Sequence, residues 1–287
     1  MAGRRGMALV LLAALLAAGC GGSDPEPETP APTPAPMSPA PTSAPPVREG
    51  TRVALPVYYV AETAAGLRLQ REFHSVVTDD PASAALREVF ASPTGIDPDY
   101  RTHWPPGTAL RQPVRWDGGV IVVDLMATGP AQMGTELAEL SVQQLVFTVQ
   151  GALQVDDPVR ILVGGVRVPE LWGAVQTAAP VERGDPYALR SLVQIDAPAE
   201  GAQVGREVEV SGEAAVWEAT VLWEVLRDGA VVQKGFTSTA EGQRFAPFAF
   251  IVTLEPGEYT VRIREDDPSD GEGRPALTDD KTFTVIG

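Results

Sequence analysis

The sequence predicts an α+β domain followed by an all-β sandwich, both placed behind a signal segment and a proline-rich linker. Between residues 51 and 178, β-branched runs alternate with helix-period patterns, which is typical of strands and helices packed in two layers. Between residues 190 and 287, about seven short β-prone runs are separated by turn residues, and this spacing predicts a sandwich.

The amino terminus has the layout of a secretory signal: two arginines precede an apolar run that is shorter than the ~20 residues needed to span a bilayer. Cys20, the one cysteine of the chain, follows Leu16-Ala17-Ala18-Gly19. This arrangement resembles the lipobox of bacterial lipoproteins, although Ala17 stands where a branched apolar residue is usual. The resemblance implies that residues 1–19 are cleaved off and that Cys20 is acylated on its sulfur and its new amine. The alternative is an ordinary secretory signal with an incidental cysteine.

Residues 20–50 are predicted to be the acylated cysteine and a proline-rich linker. From Asp24 to Pro46, ten prolines alternate with small or polar residues, so the segment cannot form a core or a regular ladder. At about 3.1 Å per residue, about 27 residues in polyproline II conformation reach at most ~80 Å. We expect a stalk that holds the folded part off the membrane; a ligand for SH3-type domains is the alternative.

The charge of the chain excludes some partners. Asp plus Glu total 38 against 22 Lys plus Arg, and the net charge is −16. An acidic surface repels nucleic acid and anionic headgroups, so we expect no nucleic-acid role and membrane contact only through the lipid. With Cys20 acylated, no cysteine remains for disulfides, thiolate catalysis or zinc–sulfur sites.

The first elements of the α+β region have local signatures. Residues 52–60 are strand-like, and Pro56 favours an edge position or a bulge. Residues 67–77 are the expected hairpin partner. A helix is predicted to begin after Asp80, a cap followed by proline at the first helical position, and to end before Pro93.

The later elements of this region follow in the same way. Residues 114–125 predict a hairpin with its turn at 117–119, where Asp is followed by two glycines. Residues 135–153 predict a helix with apolar side chains on one face. Residues 159–168 predict a strand interrupted by a turn at Gly164-Gly165.

Several segments of residues 51–178, in order, resemble the GerMN domain: Trp104–Leu110 (WPPGTAL), Gly119–Leu125 (GVIVVDL), Ser141–Val149 (SVQQLVFTV) and Val159–Gly165 (VRILVGG). The family is named for spore-germination and sporulation proteins, and many members are lipoproteins. Its fold is similar to the ring-building modules of secretion-like envelope complexes. The resemblance therefore implies an assembly domain rather than an enzyme.

The region from 190 to 287 has no clear helix pattern, and its turns include Asp228-Gly229 and Pro256-Gly257. The number and spacing of its strands suggest an immunoglobulin-like sandwich. Residues 179–189, with Pro180, Gly184 and Pro186, are predicted to be a linker, so we expect the sandwich to fold independently. The clearest strand-like runs are 193–195, 208–210, 221–226, 248–254, 259–263 and 282–285.

The second region also resembles the immunoglobulin-like domain that accompanies GerMN in bacterial spore-germination proteins. The resemblance is carried by Ile195–Gly201, Val210–Ala214, Trp217–Val221 and Ser269–Gly271. The pairing of the two resemblances in one chain supports both.

Catalytic signatures are missing from the sequence. His74 and His103 are the only histidines, and no G-x-S-x-G or S-x-x-K motif supplies an activated serine beside them. No phosphate-binding loop is present, and Gly271-Glu272-Gly273 alone is too weak for dinucleotide binding. We therefore expect no catalytic residues, no cofactor and no metal.

Carboxylates are the remaining candidates for acid–base chemistry. In the first region they are Asp97, Asp99, Asp117 and Asp124, each of which is expected to be a solvated or turn-forming residue. The acidic run at 265–272 does not fit an EF-hand because Pro268 and Leu277 occupy ligand positions. A loose surface calcium site and a solvated loop are both left open there.

Tryptophans are the candidates for contact with a glycan. Trp217 and Trp223 fall in sandwich strands, where core packing is expected. Trp104, in a proline-rich loop, is the best candidate for an exposed ligand contact; the alternative is a loop anchor packed on the domain.

Together these features predict a non-enzymatic lipoprotein at the extracytoplasmic face of the cell membrane, acting in envelope protein assembly. A cell-wall or carbohydrate-binding lipoprotein is the alternative. If the first domain binds its partner through a helix face, Gln143 and Gln144 are expected to lie beside the apolar stripe and to face outward.

Overall fold

The computed structural model describes residues 50–129, 133–266 and 274–287. The described ranges form an α+β domain and a β-sandwich in the predicted order, so the predicted fold class is confirmed. Cys20, the proline-rich linker and most of the acidic run at 265–272 lie outside the described residues.

A long hairpin opens the first domain. Strands β1 (Thr51–Thr63) and β2 (Gly66–Thr78) pair antiparallel along their whole length, as the sequence predicts. Pro56 lies within this two-stranded ribbon, where each strand has a free edge and a missing N–H disrupts no second ladder.

Two helices pack on this ribbon. Helix α1 (Pro81–Ala91) begins where it was expected, because Asp80 Oδ1 accepts the backbone N–H of Ser83 at 3.1 Å. Helix α2 spans Thr135–Leu153, the range predicted from its apolar period. It packs against both α1 and β1.

A four-stranded sheet completes the α+β layer arrangement. Its strand order is β3-β4-β5-β6. β4 and β5 are parallel neighbours, and the chain crosses from one to the other through α2. A short hairpin of β7 and β8 follows it. The bounds of these strands are β3 Arg115–Asp117, β4 Val120–Leu125, β5 Val159–Val163, β6 Val166–Arg167, β7 Glu170–Leu171 and β8 Val175–Gln176.

The segment from 179 to 189 is not an open linker. Val181 pairs with Val159 of β5 through two backbone hydrogen bonds, and the side chain of Gln143 in α2 binds the backbone of Glu182 and Gly184. The segment ends in a single helical turn, α3 (Pro186–Leu189). It is therefore fastened to the first domain.

The described part of the second domain is a sandwich of eight strands. A five-stranded sheet with order β10-β16-β15-β12-β13 faces a three-stranded sheet with order β14-β11-β9. The core between them is separate from that of the first domain. The strands are β9 Val193–Ala197, β10 Ala202–Val204, β11 Glu207–Ala214, β12 Thr220–Arg227, β13 Ala230–Ser238, β14 Ala246–Thr253, β15 Gly257–Glu265 and β16 Thr278–Val285.

The two tryptophans expected in the sandwich core behave differently. Trp223 in β12 is half-buried and stacks on Phe250 with ring centroids 4.7 Å apart, as core packing requires. The prediction for Trp217 is wrong: it lies in a 3₁₀ turn before β12, and 51% of its surface is exposed.

Candidate interaction surface

Each ring nitrogen of His74, the first candidate for a catalytic residue, is hydrogen-bonded to a carboxylate. Its Nε2 lies 3.0 Å from Glu72 Oε2, and its Nδ1 lies 2.9 Å from Glu88 Oε2. Burial acts to lower the pKa of His74, but the hydrogen bonds to Glu72 and Glu88 outweigh it and raise the pKa. The imidazole therefore joins β2 to α1 and has no free nitrogen for proton transfer.

Trp104 is not an exposed ligand contact, the role for which the sequence makes it the best candidate. Only 5% of its surface is accessible, because its ring packs edge-on against Phe90 and Trp172. Its indole N–H donates to the backbone oxygen of Ser141 in α2 at 3.0 Å. The side chain thus anchors the proline-rich loop to the domain, which is the alternative the sequence left open.

A cleft of about 610 Å³ lies beside this loop. Its volume is in the range of small-molecule sites, and its wall is mostly apolar, with three prolines and the rings of Phe90 and Trp104. His103 is the one titratable side chain in the wall, and burial, with the charge of Arg101, lowers its pKa. The lining residues are Phe90, Ala91, Ser92, Pro93, Thr102, His103, Trp104, Pro105, Pro106, Gly107, Met133 and Leu137.

The four carboxylate candidates do not form a pair, and two of them are buried, contrary to expectation. Asp124 is buried, bound by Arg111 at 3.0 Å and by the N–H of Gly165 at 2.9 Å. Asp117 is exposed at the hairpin turn, as expected. Asp97 is buried at the boundary between the two domains, and its Oδ1 accepts the N–H of Asp99.

Asp97 belongs to a buried polar cluster that joins the domains. Nζ of Lys281, in β16, lies 2.5 Å from Asp97 Oδ2 and 3.6 Å from Asp279 Oδ1. Nζ of Lys281 also sits 3.8 Å from the ring centroid of Tyr100, whose hydroxyl donates to Asp279 at 2.7 Å. We call Asp97, Tyr100, Asp279 and Lys281 the junction; all four are buried.

Burial and charge act against each other in the junction. Removal from water raises the pKa of Asp279 to about 6, although Lys281 and the backbone N–H of Ile195 favour its charged form. Burial acts to lower the pKa of Lys281, but the carboxylates of Asp279 and Asp97 outweigh it and raise the pKa. The lysine is therefore held as a cation.

A second set of ion pairs lies at the border between the domains. Arg71 in β2 binds both carboxylate oxygens of Asp196 in β9, at 2.6 and 3.2 Å. Glu213 Oε2, in β11, forms an ion pair with Arg190 Nη2 at 2.5 Å and lies 3.5 Å from Arg71 Nη1. The two domains therefore meet through polar contacts and form one compact unit, whereas the sequence suggested independent domains.

Sequence reasoning missed the junction, although one signal was present. In β16, Asp279 and Lys281 alternate in step with Phe283 and Val285, which face the sandwich core. A charged pair on the inward side of a strand points to a buried partner. The sequence gives no sign that the partner is Asp97 of the other domain.

The helix face proposed for partner binding is not free. Gln144 is fully buried: its amide donates to the backbone oxygen of Tyr58 at 2.8 Å and its Oε1 accepts from Thr102. The Gln143 side chain forms hydrogen bonds with the backbone of the 179–189 segment. The expectation that these two side chains face outward is therefore wrong.

The open surface lies instead on β13, an edge strand of the five-stranded sheet. β13 pairs with β12 alone, after a hairpin turn in which both Asp228 and Gly229 have positive φ. Its apolar side chains are exposed, with Phe236 at 71% and both Val231 and Val232 near half. Lys234 is its one charged residue and forms no ion pair in the described ranges.

In the described sheets of three or more strands, the other edges are short or covered. The edge strands β3 and β6 of the first domain have three and two residues. β14 accepts side-chain hydrogen bonds from β13 at Thr253 O and Ala249 O, and β9 packs against β2. Because natural sheets usually shorten or protect their edges, a nine-residue exposed edge is a candidate interaction surface.

The described part of the chain contains no metal-binding cluster and no membrane-spanning helix. There, no group of three or more His, Cys, Asp or Glu side chains is arranged to hold a metal ion. No helix in these same ranges has the length and apolar character needed to cross a bilayer.

Two family models match the chain, one over each domain. Residues 56–169 match a model described as sporulation and spore germination. Residues 192–272 match a model described as the immunoglobulin-like domain of bacterial spore germination. Comparison with curated protein sequences gave no match.

Several solved structures are similar to parts of the chain. The tandem GerMN domains of the sporulation protein GerM from Bacillus subtilis share 17% identity, with a TM-score of 0.38, over 50% of this chain and 49% of that one. A putative lipoprotein from Clostridium perfringens shares 14% identity, with a TM-score of 0.34, over 50% of this chain and 97% of that one. A lytic polysaccharide monooxygenase from Jonesia denitrificans shares 19% identity, with a TM-score of 0.24, over 31% of this chain and 60% of that one.

The chain thus spans about half the length of the Bacillus subtilis structure that it matches. The two family matches fall on the two regions whose sequences resemble GerMN and its immunoglobulin-like companion, and they confirm both resemblances. Residues 56–169 thus form a domain of the sporulation and spore germination family, and residues 192–272 form an immunoglobulin-like domain of bacterial spore germination.

Proposed function

We propose that this protein is a lipid-anchored envelope protein that binds another protein, without catalysis, in a process linked to sporulation or germination. Acylated Cys20 would hold it at the extracytoplasmic face of the cell membrane, and the proline-rich linker would let the folded part stand off the surface. The observation that carries the interaction role is the exposed edge strand β13, with Phe236 and two valines facing solvent.

The side chains described above support a role without catalysis. Both nitrogens of His74 are engaged, and the buried candidate carboxylates Asp97 and Asp124 are held by Lys281 and Arg111 respectively. The glycan-binding alternative requires accessible aromatic rings around a groove. Trp104, which lines the cleft of about 610 Å³, is buried, so its ring offers no accessible stacking face and does not support this alternative.

The anchoring step is tested by Cys20→Ser. We expect the variant to incorporate no labelled fatty acid and to leave the membrane fraction or remain unprocessed, because the acylated sulfur is gone. Equal incorporation by the wild type and the variant would refute the anchor.

The interaction step is tested in the host cell with a photoreactive residue in place of Phe236. We expect irradiation to give one dominant covalent adduct with another protein. The matched control places the same residue at Ile251, an exposed side chain on the other sheet. Identical adduct patterns from the two positions, or none from position 236, would count against β13 as the interaction surface.

A further inference from the structure

The outer face of the five-stranded sheet carries one row of alternating charges that ends at the open edge. In the strand register, Lys234 of β13 lies opposite Glu224 of β12, and Glu224 lies opposite Arg262 of β15. Arg262 binds Asp280 of β16 at 3.0 Å. The row is therefore positive, negative, positive and negative, with its positive end at the edge.

The neighbouring row at the same edge is apolar. Phe236 of β13 lies opposite Leu222 of β12, and these two residues are two positions from Lys234 and Glu224. On a strand, side chains two residues apart share a face, so Phe236 and Lys234 stand side by side on the outer face. A strand added to this edge would place one side chain next to each of them.

We propose that β13 accepts an extended segment of another protein, in which an acidic residue and an aliphatic or aromatic residue stand two positions apart. The carboxylate would lie opposite Lys234 and continue the charge row, and the apolar side chain would cover Phe236. Backbone groups of β13 that point away from β12 would supply the ladder hydrogen bonds. This inference rests on the proposed function and adds the kind of partner.

A second copy of the chain fits this edge poorly. β13 contains no acidic residue, so pairing two copies of β13 brings no carboxylate opposite Lys234. Each copy also carries a net charge of −16, which opposes self-association. In the proline-rich stretch of the chain's own linker, 24–46, the acids are Asp24, Glu26 and Glu28, and no aliphatic or aromatic residue stands two positions from any of them. Glu49 has Val47 two positions away, but it stands only two residues before β1.

The test uses two capped peptides and the purified full chain. The first peptide is acetyl-Thr-Val-Thr-Glu-Thr-Val-Thr-amide, and the second has Lys in place of Glu. We expect the Glu peptide to bind wild type about 2- to 5-fold more tightly, the size of a cross-strand charge pair. We also expect it to slow hydrogen exchange at the backbone amides of residues 230–238.

Charge reversal on the protein sharpens the test. In Lys234→Glu the preference is expected to reverse, so that the Lys peptide binds more tightly. The matched control is Arg167→Glu, a charge reversal on the exposed edge strand β6, which should leave the preference unchanged. Failure of both peptides to bind, or a preference that Lys234→Glu does not alter, would overturn the inference.

Two further outcomes separate the alternatives. If the wild-type protein dimerises as its concentration rises, and if Lys234→Glu changes this dimerisation, the β13 edge binds a second copy of the chain. That result would overturn the proposed partner. Cells could give a dominant adduct at position 236 while the protein binds the Glu and Lys peptides equally. That result would overturn only the proposed acidic and apolar character of the partner segment. The interaction function of β13 would then still stand.

Discussion

Lys281 Nζ lies 2.5 Å from Asp97 Oδ2, and this contact joins strand β16 of the sandwich to the loop after α1 in the other domain. Both side chains are buried, and Tyr100 and Asp279 enclose them. A buried ion pair adds little net stability over apolar packing, but loss of one partner leaves a charge unpaired in the interior. The junction should therefore be sensitive to single substitutions.

Replacing the junction lysine tests this directly. In Lys281→Met the carboxylates of Asp97 and Asp279 lose their buried cation, so we expect the free energy of unfolding to fall by about 3–5 kcal/mol. Urea denaturation monitored by fluorescence measures this change. The matched control is Lys234→Met on exposed β13, where we expect a change within about 0.5 kcal/mol. Equal effects of the two substitutions would show that the junction is not a stabilising contact.

The isolated sandwich offers a second test. Its core is separate from that of the first domain, so a fragment of residues 190–287 is expected to give a β-rich circular dichroism spectrum and a cooperative melt. Removing the first domain exposes Asp279 to water, because Tyr100 no longer covers it. The pKa of Asp279, about 6 in the intact protein, should then fall toward its ordinary value of 3.8.

Carboxyl NMR signals followed through a pH titration measure that shift, with the intact chain as the control. An unfolded fragment would show that the sandwich depends on its neighbour. An unchanged pKa would show that burial by the first domain is not its cause.

The two carboxylates that flank His74 should make the free energy of unfolding depend on pH. The pKa of His74 is raised in the folded state, so the folded protein binds a proton more tightly than the unfolded chain does. The resulting stabilisation is fully present below the unfolded value of 6.5 and is lost as the pH rises through the folded pKa. The stability advantage of wild type over His74→Gln should therefore shrink as the pH rises from 6 to 9.

Denaturant unfolding of both proteins across this pH range checks the prediction. Taking the difference between the two proteins cancels groups that titrate alike in both. A difference that stays constant with pH would mean that Glu72 and Glu88 do not favour the imidazolium.

Gly235 is expected to be intolerant of a side chain. A Cβ at this position of β13 would lie 2.5 Å from Cζ2 of Trp223, which is stacked on Phe250. Gly235→Ala should therefore displace the indole and destabilise the protein by about 1–3 kcal/mol. Thermal unfolding and tryptophan fluorescence report both effects. Gly205→Ala, where no atom lies within 4 Å of the new Cβ, is the control and should be nearly neutral.

Local signals in the sequence predicted the elements well. The Asp80 cap, the apolar period of α2 and the Asp228-Gly229 turn act within a few residues, so each can be recognised without the rest of the chain. They were sufficient for the fold class and for the order of the two domains.

The candidate sites depended on contacts between distant residues. Lys281 and Asp97 are 184 positions apart, and nothing near either residue indicates the other. Gln144 looks like a surface position by helix period, but the ribbon covers α2 on that side and binds its amide through Tyr58. Trp104 is buried for a similar reason, since Phe90 and Trp172 close over it from distant parts of the chain.

The chain has two lysines, and they have opposite surroundings. Lys234 is exposed on β13, whereas Lys281 is 2% exposed between the domains. Apart from the amino terminus, an amine-reactive dye should therefore modify the intact protein at the edge strand only. Modification of Lys281 would then record each time that the domains separate, so the rate of labelling at that one side chain measures how often the junction opens.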